Sequence, residues 1–385
     1  MKYCVSNYCD IVRNGNYVVI VNHELGFYFK LREKIWNNIL YYIENDLEVD
    51  FNLQAIFNNL LRGKVIVENK TTEYEIIMLQ LTNKCNLQCK HCCITELTSR
   101  GEVSYKVIDE IIKLGPQTIV LSGGEPMLHS QFWSIIDYVK KRFAGKLVLS
   151  TNGLFITENN AGKISKYFDK ISVSLDGISE QNVDRIRGDG VYHKVIQIIK
   201  LLKNKNIEVE VSSIVLNEKD SEVEQLEEEF GVTVIRRELS VIGRAKDYLK
   251  DLLDGGVEEY IRLKSEEFMS DQVIDLYKCG MLQYELYVSL DGNIYPCPGL
   301  AADNFVLGNI RDFRNVEAIQ KISNRKLLKE TMLLDDKFQR CRGCNYIGLC
   351  WTCLRIIDGF SNVPEVFENW CSSRKKLIKK FYQNE

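Results

Sequence analysis

The chain has 385 residues, 45% of them apolar, which is enough for two or three domains with real cores. Its 50 basic and 53 acidic side chains nearly cancel, to a formal charge of −3, and so give no electrostatic basis for nucleic acid as the main partner. No apolar run reaches the roughly 18 residues of a membrane span, and Met1-Lys2-Tyr3-Cys4 lacks a signal-peptide core, so a cytoplasmic protein away from membranes is expected. In that reducing compartment thirteen cysteines read as metal ligands or catalytic thiols rather than disulfides. With four histidines, metal chemistry here is thiolate chemistry.

Residues 1–72 read as a small separate module. Asn14-Gly15 is a turn signal between the extended runs Val5–Val12 and Tyr17–Val21, and Glu24-Leu25-Gly26 turns the chain again into Phe27–Leu31. Ile35, Trp36, Ile39, Leu40 and Ile43 recur at helical spacing, as do Leu53, Ile56, Phe57, Leu60 and Leu61, and a short strand Lys64–Val67 follows. From Glu75 to about Arg237, β-runs alternate with helical patterns: Ile76–Leu81, Thr118–Leu121, Leu147–Ser150, Ile171–Leu175, Val209–Val215 and Val232–Ile235. Six such units predict a partial parallel barrel, open on one side, with its chemistry at the C-terminal strand ends. The acidic helix Lys219–Phe230, with Glu222, Glu224, Glu227, Glu228 and Glu229, reads as a solvated face. So does the basic run Arg374, Lys375, Lys376, Lys379 and Lys380.

Three motifs carry chemistry. Cys85, Cys89 and Cys92 are spaced C-x3-C-x2-C directly after the first barrel strand, and can hold three irons of a [4Fe–4S] cluster while leaving the fourth bare. A structural zinc site wants two close ligand pairs, which this spacing does not supply. Ser122-Gly123-Gly124-Glu125-Pro126 ends the second strand, where glycines permit close backbone approach and a glutamate can accept from an ammonium group; taken alone it would be a glycine-rich turn. A second cysteine field comprises Cys279, Gly292-x4-Cys297, Cys341-x2-Cys344-x5-Cys350-x2-Cys353 and Cys371, whose C-x2-C pairs also suit zinc ribbons.

The segment from Cys85 to Cys92, with Gly-Gly-Glu-Pro about 30 residues beyond it, resembles the radical S-adenosylmethionine (SAM) enzymes. In that family the open iron is chelated by the amino and carboxylate groups of SAM. The resemblance implies that His91 lies beside the adenine, and that Gly123, Gly124, Glu125 and Pro126 hold the amino group. It places Asn152, Ser174 and Asp176 around the ribose and carboxylate, and Arg187 as the partner of the SAM carboxylate, with Arg185 left as a solvated helix-end charge. The second field resembles the SPASM extension, which binds two auxiliary [4Fe–4S] clusters. By position, Cys279, Cys297 and Cys353 serve the first, and Cys341, Cys344, Cys350 and Cys371 the second. The family usually has three residues before the cysteine at 353, and this chain has two.

Two cubane clusters need eight ligands and seven are present. Either one auxiliary iron is open, or Cys4, Cys9, Cys93 or a water fills it; for these three cysteines a small buried side chain is the preferred reading. Residues 1–72 resemble the winged-helix leader-recognition module of peptide-modifying enzymes, with two helices where three are usual. A plain structural cap is the competing reading.

The implied architecture is α/β: an N-terminal module (1–72), a partial (β/α)6 barrel (73–238), linking helices (239–278), a SPASM domain (279–373) and a basic tail (374–385). The implied cofactors are SAM and three [4Fe–4S] clusters. The implied partners are a ribosomal precursor peptide with a leader and a low-potential flavodoxin or ferredoxin; neither nucleic acid nor membrane is expected. The expected activity is reductive SAM cleavage and hydrogen-atom abstraction from the peptide, forming thioether crosslinks from cysteine. Carbon–carbon crosslinking, epimerisation or formylglycine formation is the alternative, and an iron–sulfur electron carrier is the non-enzymatic one.

Overall fold

The turn signals and apolar periodicities set the N-terminal elements. The computed structural model describes residues 2–68, 75–94, 101–216, 220–253, 256–270, 273–274, 279, 281–282, 284–313, 318–319 and 325–383. The boundaries drawn at 72–73 and after 278, and the helix start at Lys219, lie outside these. The chain begins with β1 (Tyr3–Val5), β2 (Cys9–Asn14), β3 (Tyr17–Asn22), β4 (Phe27–Arg32), α1 (Glu33–Glu44), α2 (Phe51–Arg62) and β5 (Ile66–Glu68). Strands β2, β3 and β4 form an antiparallel sheet in that order, and β1 pairs antiparallel with β5. The single run expected over Val5–Val12 is two strands, because the Ser6 carbonyl accepts from Cys9 N (3.1 Å) and its hydroxyl from Tyr8 N (3.3 Å), closing a turn.

Strand alternation gives this sheet two apolar faces. Cys9, Ile11, Val18 and Ile20 pack with Trp36, Ile39, Phe57 and Leu60 of the two helices. Val12, Val19 and Val21 point the other way and pack with Leu349 and Ile378, more than 300 residues along the chain. The N-terminal sheet therefore shares a core with the C-terminal cysteine region.

Next comes a run of strands and helices: β6 (Ile76–Thr82), α3 (Tyr105–Leu114), β7 (Thr118–Gly123), α4 (Phe132–Arg142), β8 (Lys146–Thr151), α5 (Glu158–Tyr167), β9 (Lys170–Ser174), α6 (Glu180–Arg187), α7 (Val191–Asn204), β10 (Val209–Val215), α8 (Asp220–Phe230) and β11 (Thr233–Glu238). After a short pair, β12 (Met269–Ser270) with β13 (Val273–Ile274), come β14 (Glu285–Val288), β15 (Asn293–Tyr295) and β16 (Gly308–Asn309). The main sheet has the order β11-β10-β9-β8-β7-β6-β14-β15-β16. Strands β6 to β11 are all parallel, as right-handed crossovers through helices require. Strand β14 adds a seventh parallel strand beside β6, unmarked by the βα pattern, and β15 and β16 extend it antiparallel.

Side chains alternate across this sheet as well. Ile77, Leu79, Ile119, Leu121, Leu147 and Leu149 are fully buried. Met78, Val120, Val148, Ser150 and Ser172 instead line a cavity of about 440 Å³.

The chain divides into two compact units, one of residues 1–72, 257–283 and 320–385, the other of residues 73–256 and 284–319. The basic run is no free tail: residues Pro364–Gln383 form one helix, in which Arg374 is fully buried with its guanidinium 4.0 Å from the Trp370 ring.

Candidate functional site

In the second unit, β6 delivers the loop carrying Cys85, Cys89 and Cys92, and β7 delivers Gly123 to Pro126 beside it. The two loops are laced main chain to main chain: Gly124 N donates to Thr82 O and Glu125 N to Lys84 O, both at 2.8 Å. A Cβ on Gly123 would meet Thr82 O at 2.3 Å, and one on Gly124 would meet Lys84 O at 2.2 Å. The glycines thus let the second strand end lie against the cysteine loop itself.

Glu125 is fully buried. Its carboxylate accepts from Thr151 Oγ1 (2.8 and 2.9 Å), Asn152 N (2.9 Å) and Met127 N (3.2 Å), tying the end of β7 to the end of β8. Burial pushes its carboxyl up to about 7, against the pull of these donors. Pro126 is buried in the first turn after it. Asn152 continues the lacing, donating from Nδ2 to Asn86 Oδ1 at 2.8 Å, inside the cysteine loop.

Asp176, at the end of β9, is the hub of the other side. His91 Nε2 lies 2.6 Å from Oδ2, Arg187 Nη2 3.0 Å from Oδ1 and Arg187 Nε 2.7 Å from Oδ2, while Ile214 N donates to Oδ1 at 2.9 Å. Burial alone would raise this carboxyl, but the charges of Arg187 and His91 overcome it and hold it well below the usual range. Arg187 is buried and ends α6, whereas the Arg185 guanidinium is exposed and donates to Asp251 O. Ser174 is half-buried, paired in register with Ser212.

The cysteine loop is anchored from below as well. Lys90 N donates to Ile186 O at 2.9 Å, Arg244 N to Cys92 O at 3.1 Å and Arg244 Nε to Cys89 O at 3.0 Å. Sequence reading missed Asn86 and Arg244. Asn86 was findable, lying between Cys85 and Cys89, whereas Arg244 has no motif and only the fold brings it to the loop. Gln80, Asn83, Cys93, Gly123, Tyr287 and Tyr295 line an adjoining cavity of about 580 Å³, a size suited to a small ligand or a peptide side chain.

The three thiols fit a cluster by chemistry and charge. Cys89 is buried, Cys92 half-buried and Cys85 exposed; Cys89 feels the charges of Cys92 and Cys85, and Cys85 that of Cys92. Burial pushes the Cys89 thiol up to about 11, with Arg187 opposing, so an iron would have to displace its proton. Among the described residues no three His, Cys, Asp or Glu side chains converge on a single-ion position.

In the first unit, Cys341, Cys344, Cys350 and Cys371 are brought together from three elements: a 3₁₀ turn (Asp336–Cys341), a short helix (Ile347–Cys350) and the last helix. Cys350 feels the charges of Cys341, Cys371 and Cys344, and Cys341 those of Cys371 and Cys344. Burial pushes Cys341 up to about 11 and Cys350 to about 12, with Arg374 pulling Cys350 back. Four thiols and a buried guanidinium suit an anionic cluster. Cys279 and Cys353 also belong to this unit, and Cys297 to the other.

Comparison with known proteins agrees. The radical SAM superfamily profile matches residues 79–230, and the SPASM iron–sulfur cluster-binding domain profile matches residues 279–353. Over 332 residues the chain is 28% identical to the mycofactocin maturase MftC of Mycolicibacterium smegmatis, covering 76% of this chain and 82% of that one. Over 255 residues it is 28% identical to the antilisterial bacteriocin subtilosin biosynthesis protein AlbA of Bacillus subtilis, covering 60% and 56%. In fold it is similar to Streptococcus suis SuiB bound to the precursor peptide SuiA, with a TM-score of 0.54 at 13% identity over 94% of this chain and 97% of that one. The chain thus carries a radical SAM segment and a SPASM segment, and is similar along most of its length to peptide maturases.

Proposed function

We propose that this maturase closes thioether bonds between a cysteine of a ribosomal precursor peptide and a carbon of another residue. The observation that carries this reading is the ligand count: seven cysteines for the eight positions of two auxiliary clusters leave one iron that a substrate thiolate can take. When bound, SAM at a reduced cluster supplies the 5′-deoxyadenosyl radical that removes the carbon-bound hydrogen, and the auxiliary clusters accept the one electron left when the thiol proton departs and the C–S bond closes.

The chain's own residues position these groups. Cys85, Cys89 and Cys92 would hold the SAM-binding cluster. Gly123, Gly124 and Glu125 fix the loop that faces it, and Asp176 orients His91 and Arg187 at its side. The cavity bounded by Tyr287 and Tyr295 adjoins the cysteine loop through Cys93 and offers room for the reacting side chain.

Residues 2–68 would hold the leader. Strand β4 is an edge of its sheet with every residue from Phe27 to Leu31 half-exposed, suited to strand addition, and in the same module Phe51 and Leu47 are exposed, Phe51 at 92%. A low-potential flavodoxin or ferredoxin would supply electrons.

The test is co-expression with a cysteine-containing precursor followed by mass spectrometry. The expected product is two mass units lighter per crosslink and resists thiol alkylation. A lighter product whose cysteines still alkylate would replace thioether formation with carbon–carbon crosslinking.

A further inference from the structure

We propose that His23 is the eighth auxiliary ligand, its Nδ1 closing the open iron of the cluster that Cys279 and Cys353 serve while no peptide is bound. This rests on the reading that the chain carries two auxiliary clusters. His23 follows β3 on the sheet's C-terminal-facing side, and its main-chain oxygen accepts from Cys279 N at 2.8 Å. The imidazole is completely buried, with Nε2 2.9 Å from Asp10 Oδ2, and Nδ1 has no hydrogen-bond partner among the described residues. A buried polar atom left without a partner costs about 1–3 kcal/mol. An imidazole whose one nitrogen is held by a carboxylate, with the other free and buried, is the arrangement by which proteins orient histidine toward a metal.

The surroundings point the same way. Asp10 is held in turn by Lys329, and Arg325 is buried with Nη2 donating to Trp351 O (2.5 Å) and Thr352 O (3.0 Å), the two residues before Cys353. Arg325 is near enough to act on both Asp10 and His23, so one guanidinium links the histidine's neighbourhood to the approach to Cys353. Among the described residues its Nε and Nη1 have no hydrogen-bond partner, as suits a charge set beside an anionic cluster.

Strand alternation argues against Cys9 for this role. Cys9 packs with Ile11, Val18 and Trp36 against the two N-terminal helices, whereas Asp10 lies on the opposite face with Val12, against Gly348. A histidine also suits the chemistry better than an eighth cysteine would. A neutral imidazole is a ligand that a substrate thiolate can displace, and it raises the potential of the iron it binds.

The test uses the full chain with Cys85, Cys89 and Cys92 all replaced by alanine, so that only auxiliary clusters remain after reconstitution. Electron spin-echo spectroscopy of the reduced protein should show a nitrogen coupling that changes when histidine is ¹⁵N-labelled. The coupling should vanish in His23→Cys and in His23→Gln, the latter keeping a donor for Asp10, and persist in His193→Gln, while about eight irons per chain remain in each. About eight irons with no histidine-derived coupling, or a coupling that survives both His23 substitutions, would overturn the ligand. About four irons would remove the two-cluster reading, and the ligand with it.

Discussion

Arg187 and Asp176 form a buried ion pair, with Nε 2.7 Å from Oδ2 and Nη2 3.0 Å from Oδ1. The family resemblance directs both toward SAM, yet in this structure each faces the other. Their pairing explains how a full charge sits beneath the cysteine loop, since burying either alone would be strongly unfavourable. Arg187→Met is expected to cost about 3–5 kcal/mol, because it leaves the carboxylate buried without its cation. Pairing it with Asp176→Asn should cost less than the sum of the two single changes. Urea unfolding followed by circular dichroism measures this, and a cost below about 1 kcal/mol would mean that His91 and Ile214 N suffice for Asp176.

Gly124→Ala should uncouple the second strand end from the cysteine loop, since its Cβ would lie 2.2 Å from Lys84 O. The expected result is loss of about four of about twelve irons and of 5′-deoxyadenosine release, with the fold retained. Gly162→Ala, whose Cβ would meet nothing within 4 Å among the described residues, is the control and should change neither. Full iron content in Gly124→Ala would show that the loop tolerates the added carbon.

Replacing Cys85, Cys89 and Cys92 together should abolish SAM cleavage and leave about eight irons, because these thiols would serve one cluster and seven others the remaining two. Two zincs with about four irons in the unaltered protein would favour ribbons instead.

Acid should weaken the first unit of the metal-free chain through His23. Its folded pKa, about 4, lies below the ordinary value of 6.5, so the unfolded chain binds the proton more readily between them. Stability is therefore full above about pH 6.5 and falls as the pH drops toward 4, by up to about 3 kcal/mol. His23→Gln should flatten that slope in thermal melts taken across this range. An unchanged slope would assign the acid lability to other groups.

A cysteine-containing precursor should abolish the His23 nitrogen coupling, as thiolate replaces imidazole, and its Cys→Ser counterpart should leave it intact. Persistence of the coupling with the cysteine peptide, at saturating precursor, would count against a thiolate–iron step while leaving His23 as ligand. Phe51→Asp should weaken precursor binding several-fold and leave uncoupled SAM cleavage unchanged. Point changes serve better than deleting residues 1–72, which would strip Val12, Val19 and Val21 from Leu349 and Ile378.

The barrel was legible in the chain because its strands are local events. Runs such as Ile76–Leu81 and Val209–Val215 declare themselves by β-branched content and spacing, and the predicted limits lie within three residues of the observed ones. Strand β14 was not, since four residues, Glu285–Val288, carry too little pattern and gain their place only by pairing with β6. Arg374 was misread as part of a solvated run for the same reason: its neighbours in sequence are basic, but its helix turns that one position inward onto Trp370.

By itself the sequence determined the chemistry available to this protein. Cysteine spacing, the Gly-Gly-Glu-Pro turn and the order of strands are properties of short segments, and thiolates at those intervals have few other uses. Tertiary structure alone decided which charges meet and which faces are shared. It set Arg187 on Asp176 and Arg244 on the cysteine loop, and it packed the N-terminal sheet against the C-terminal cysteines with His23 buried beside Asp10. Each of these joins residues of different elements, from 11 positions apart for Arg187 and Asp176 to 155 for Arg244 and Cys89 and more for the sheet and its C-terminal partners. Their energies depend on burial and distance, which no local pattern of residues encodes.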